Sequence, residues 1–99
     1  MDFSLSRNYR ENNTEGWTIH TKVGKQLCVD KIIIFFEEDT IKVYFFSDSD
    51  DRLNNIDYIN AVINLVHDLF IDFELIRRKI TFDPSEIPLE AFLILAKGA

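Results

Sequence analysis

Cysteine is almost missing from this 99-residue chain: Cys28 stands alone, so no internal disulfide can form. A secreted domain of this size usually carries several, and the shortage points to a reducing, cytoplasmic setting. Glycine is scarce too. Gly16, Gly24 and Gly98 are the whole supply, too scattered for a loop that cradles phosphate. The longest apolar runs, Ile32 to Phe36 and Ala91 to Ala96, fall far short of a membrane span. The N-terminal stretch MDFSLSRNYRENN has no apolar run and does not read as a secretory signal. Nor is there an excess of positive charge. Eleven Lys and Arg face seventeen Asp and Glu, for a net charge of −6 and a pI near 4.7. Direct nucleic-acid binding needs clustered cations and is disfavoured. The one basic cluster, Arg77-Arg78-Lys79, would point to alternating sides of a strand and make a poor flat patch.

What the chain does have is apolar mass. Hydrophobic residues make up 46% of it, with nine phenylalanines, enough for a real core in one domain. The densest stretch is Lys31 to Ser47, KIIIFFEEDTIKVYFFS. β-Branched and aromatic residues suit a pleated surface, and Glu38-Asp39-Thr40 is the polar break that reverses the chain. Alternation places Ile32, Ile34 and Phe36 on one face and Ile33 and Phe35 on the other. Across the turn, Ile41, Val43 and Phe45 share a side, opposed by Lys42, Tyr44 and Phe46. Both faces are apolar, so both need a cover: helices on one, and loops, a second subunit or a partner on the other.

The first sixteen residues are polar and read as a poorly ordered N-terminal segment. Phe3 and Leu5 suggest at most a short strand, and Arg10 to Gly16 a loop. Trp17 to Val23 alternates as a half-buried strand, with Trp17, Ile19 and Val23 opposite Thr18, His20 and Lys22. Gly24-Lys25-Gln26 is a turn. After the acidic loop Ser47 to Asn55, Ile56, Ile59, Ile63, Val66 and Phe70 recur at helical spacing, widened by Val62, Leu65 and Leu69. Asn54 or Asn55 is the natural N-cap, and Asp57 sits where the helix dipole favours an anion. A strand is expected over Glu74 to Phe82, although Asp72 to Ile76 could instead extend the helix. Asp83-Pro84-Ser85 stops it. A last helix starts near Pro88 and buries Leu89, Phe92, Leu93 and Ala96. The resulting order, β-β-β-α-β-α over residues 1–99, is an α+β domain with two helices on a mostly antiparallel meander.

No constellation commits the chain to a reaction, and the expectation is a non-enzyme without cofactor or metal. Asp48-Ser49-Asp50-Asp51 begins like a calcium loop. Arg52 then takes a ligand position, no glycine follows, and Ile59 stands where a bidentate glutamate belongs. His20, Cys28 and His67 are isolated and lack zinc spacing. Cys28, between Leu27 and Val29, reads as a small buried hydrophobe rather than an activated thiolate.

What remains is a surface. The candidate contact residues are Glu37, Glu38 and Asp39 at the hairpin turn, Asp48, Asp50, Asp51 and Asp57 at the opposite end, and Tyr44 as an aromatic anchor. In size and acidity the chain resembles bacterial immunity proteins, antitoxins and phage-encoded inhibitors of nucleases, a likeness that covers no motif. It implies neutralisation of a basic protein partner such as a nuclease toxin. The alternative is a homo-oligomeric structural or regulatory module, such as an isologous dimer, in which the second apolar face of the hairpin pairs with its own copy. A small enzyme or a carrier with an apolar cavity between sheet and helix ranks last.

Overall fold

The central hairpin forms as its composition dictates, and four further segments extend or cover it. The computed structural model describes residues 2–71 and 77–98. The elements are β1 (Asp2–Glu11), β2 (Thr14–Val23), β3 (Gln26–Phe36), β4 (Thr40–Phe46), α1 (Asp50–Leu53), α2 (Ile56–Leu69), β5 (Arg77–Thr81) and α3 (Leu89–Ala96), with a 3-10 turn over Pro84–Glu86 before the last. They build a five-stranded sheet in the order β1-β2-β3-β4-β5. The first four strands form an antiparallel meander, and β5 joins β4 in parallel, with Val43 opposite Ile80. A parallel neighbour needs a long crossover, which α1 and α2 supply.

The architecture is α+β, with one strand more than the sequence pattern suggests. The N-terminal segment is not loosely ordered: β1 runs ten residues beside β2. Arg10 to Gly16 is not a loop either, because Glu11 pairs with Thr14 around a two-residue Asn12-Asn13 turn. Asn12 has φ 54°, a conformation that asparagine tolerates better than most residues. The strand escapes an alternation test because of a bulge. The register shifts between Arg7 and Tyr9, so Phe3 and Leu5 pack on one face of the sheet and Tyr9 on the other. The residue at the bulge, Asn8, accepts a hydrogen bond from the Thr18 hydroxyl.

Both faces of the hairpin are covered by helices. On one, Ile32, Ile34, Ile41, Val43 and Phe45 meet Tyr58, Val62, Val66 and Phe70 of the α2 segment. On the other, Ile33 and Phe35 meet Ile87, Ala91 and Ile94. Each fully buried Val or Ile contributes about 1.5–3 kcal/mol of transfer free energy, so cutting Ile34 to Ala should cost about 2–5 kcal/mol.

Two expected helix faces are rotated. In α2 the buried line runs through Tyr58, Val62 and Val66, while Ile56 is 68% exposed at the first helical position. In α3 the expected stripe lies outside. Leu89 is 72%, Leu93 55% and Phe92 43% exposed, whereas Ala91 and Ile94 are buried. Apart from Glu90 the helix LEAFLILA is apolar all round, so periodicity carries no direction there; the sheet decides which side is covered. The expected strand over Glu74 to Phe82 is found as Arg77–Thr81, and its first three residues, like the rival helical extension over Asp72 to Ile76, lie outside the described residues. Among the described residues no helix is long and apolar enough to cross a membrane.

Candidate functional site

The turn from β4 into α2 is where structure and charge converge. Ser47 Oγ accepts from the Ser49 amide at 3.1 Å, and Ser49 leads into the single turn of α1, with Asp50 and Asp51 at its start. Asn55 caps α2: its Oδ1 accepts from the Asp57 and Tyr58 amides, both at 3.1 Å. Between these two turns Arg52 points inward. Its Nε and Nη2 donate to both oxygens of Asp30 at 2.7 and 2.8 Å, and Nη2 also reaches Asp48 at 3.0 Å. Asp30 belongs to β3 and is buried; the Tyr58 hydroxyl donates to the same carboxylate.

This knot bolts the acidic corner to the sheet. Bidentate, charge-assisted geometry is the strong form of the ion pair, and the carboxylate needs it because an unpaired charge in the core costs several kcal/mol. The Arg52 guanidinium is held above its ordinary pKa by the hydrogen bond to Asp30. The Tyr58 phenol is pushed up first by burial and then by its bond to Asp30. The buried Thr21 hydroxyl lies near enough to temper that rise, though it makes no hydrogen bond of good geometry. A cavity of about 190 Å³ opens beside the knot, with Cys28, Ser49, Asn55 and Tyr58 among its walls.

The expected contact residues fall into three separate places. Asp48, Asp50, Asp51 and Asp57 gather at the α1–α2 corner. Of these Asp48 is ion-paired to Arg52, while Asp50, Asp51 and Asp57 have no ion-pair partner among the described residues. Glu37, Glu38 and Asp39 sit at the far end of the hairpin and are largely spoken for. Glu37 pairs with Lys42 at 3.1 Å and Asp39 with Arg77 at 3.2 Å, leaving only Glu38 unpaired among the described residues. The Thr40 hydroxyl, then Arg77, hold Asp39 below the usual carboxylate range, and Glu37 raises Lys42. Tyr44 joins neither group. It is half-buried on the α3 side, its ring 5.7 Å from Phe35 in edge contact.

The other chemistry-bearing side chains are dispersed. His20 lies on the face of the sheet opposite Cys28, and His67 is on α2 beside Arg78 at 3.3 Å. Among the described residues no cluster of three or more His, Cys, Asp or Glu could hold a metal ion. Sequence reasoning missed Asp30, Tyr58 and the inward turn of Arg52. A signal existed: Asp30 occupies the alternation class of Ile32 and Ile34, and Tyr58 stands four residues before Val62 and eight before Val66.

A second concavity, of about 430 Å³, lies at the other end of the sheet. Trp17, Phe36 and Phe70 line it with Leu69, and Arg10, Asn12, Asn13 and Glu15 border it. Comparison with known proteins finds no matching family model, no similar curated protein and no similar solved structure.

Proposed function

We propose that the protein is a non-catalytic binding module whose α1–α2 corner docks a basic protein partner. It would act as a neutraliser of the immunity or antitoxin kind, for which a nuclease toxin is the fitting target. One observation carries the reading. Asp50, Asp51 and Asp57 gather at one corner without ion-pair partners among the described residues, and they share it with the exposed Ile56. An apolar anchor with an acidic surround, on a rigid base, is the form of a binding hot spot for a cationic partner. A cytoplasmic setting accords with the single cysteine.

The test is capture from a lysate of the source cell by the wild-type protein and by D50K/D51K/D57K. A basic protein retained at low salt, released at high salt and lost from the folded variant supports the reading. Equal retention by both baits removes it. The dimer alternative shifts ground, since α3 already covers the second hairpin face. Its support is now the outward row Leu89, Phe92 and Leu93. Light scattering decides it: twice the monomer mass, falling to one in L89K/L93K, would make the corner secondary.

A further inference from the structure

The aromatic-lined cleft at the other end of the sheet is built from elements the acidic corner does not use. The Asn12-Asn13 turn, the end of β3 and the last turn of α2 all contribute to its lining. Phe36 and Phe70 meet edge to face, with centroids 5.6 Å apart and planes at 80°. Trp17 adds a third ring. At about 430 Å³ the space falls within the range of small-molecule sites.

The hydrogen-bonding state of the rim sets the ligand's charge. Its strong acceptors are already engaged. Glu15 accepts from Arg7 at 3.3 Å and from the Trp17 indole at 3.2 Å. The Phe36 carbonyl accepts from the Asn13 side chain at 2.9 Å, and the Phe70 carbonyl from Arg78. The rim's one cation is not engaged: Arg10, across from Glu15 in the β1–β2 register, has no hydrogen-bond or ion-pair partner among the described residues. A planar guanidinium on the rim of an aromatic-lined cleft offers paired donors to a carboxylate while the rings take an apolar body.

We propose that this cleft binds a small aromatic carboxylate, its ring system against Trp17, Phe36 and Phe70 and its carboxylate on Arg10. The site is independent of the acidic corner, and each can fail without the other.

The experiment is a titration of the ¹⁵N-labelled full chain, followed by NMR, with 1-naphthoate and with the neutral 1-naphthalenemethanol. Trp17 is the only tryptophan, so one indole N–H signal reports on the cleft. Saturable shifts of that signal and of the Arg10 and Asn13 amides are expected, with naphthoate binding about fivefold tighter than the alcohol, the gain of a partly exposed ion pair. In Arg10→Gln the two affinities should converge while that of the alcohol is unchanged. D50K/D51K/D57K should bind both as the wild type does. Absence of saturable shifts, equal wild-type affinities, or shifts confined to Leu89, Phe92 and Leu93 would each overturn the proposal.

Discussion

Replacing Arg52 by Met should be among the most damaging single changes in this protein, although the residue lies on a surface corner. Its guanidinium supplies two of the donors to the buried Asp30, at 2.7 and 2.8 Å, and among the described residues Met leaves only the Tyr58 hydroxyl. Removing one partner of a buried ion pair costs about 3–5 kcal/mol. Domains of this size have about 5–15 kcal/mol in all, so the variant would sit near the edge of stability. With about 4–8 °C of melting temperature per kcal/mol at this length, the loss should be on the order of 12–40 °C. Urea unfolding followed by circular dichroism measures it directly. Two companions separate the buried bond from the exposed one. D48N removes only the bridge at 3.0 Å to a carboxylate 91% exposed, worth up to about 1 kcal/mol. D30L/R52M/Y58F removes every charge together, and should lie closer to wild type than R52M does, because no polar group is stranded. The reasoning fails if R52M costs no more than D48N.

Further expectations concern the same corner and two exposed carboxylates, Asp39 and Asp83. Tyr58 has a folded pKa above the ordinary value, so its contribution is complete below about pH 10 and is lost as pH rises, at about 1.4 kcal/mol per pH unit. Urea midpoints between about pH 9 and pH 11 should fall less steeply in Y58F, and parallel slopes would count against the buried phenol. Asn55→Ala should cost about 1 kcal/mol through loss of the α2 cap, read from the same unfolding curves. Asp83 is held low by the Ser85 amide and hydroxyl, and Asp39 by Thr40 and Arg77. Both therefore stabilise the fold above the ordinary carboxylate range and lose that effect as pH falls through their lowered values. The variant D39N/D83N should show a flatter acid limb of stability below about pH 4.

Much of the architecture could be read where one physical preference dominated. The hairpin from Lys31 to Ser47, its two faces and the α2 helix follow from alternation and helical spacing. Failures came where preferences cancelled. The bulge at Asn8 sends Tyr9 to the opposite face from Phe3 and Leu5, which hides β1 from any test of alternation. In α3 the apolar residues surround the axis, so only the sheet chooses Ala91 and Ile94 over Leu89 and Leu93. The acidic residues could be counted from the sequence, but not which of them would be neutralised. That depends on which way Lys42 and Arg52 turn, five and four positions after Glu37 and Asp48, and on Arg77, which arrives from β5.

The parallel placement of β5 also sets an order of assembly. The meander closes through short turns, with Glu11 meeting Thr14, Val23 meeting Gln26, and Phe36 meeting Ile41. The partner of Arg77 is Thr40, thirty-seven positions earlier (77 − 40). Closing that longer loop costs about 2 kcal/mol more conformational entropy than closing a hairpin, and nothing repays it until α2 has docked. The meander should therefore form before the fifth strand is added. The edge added last is the first to open, so exchange of backbone hydrogens should be fastest, among the strands, in β5.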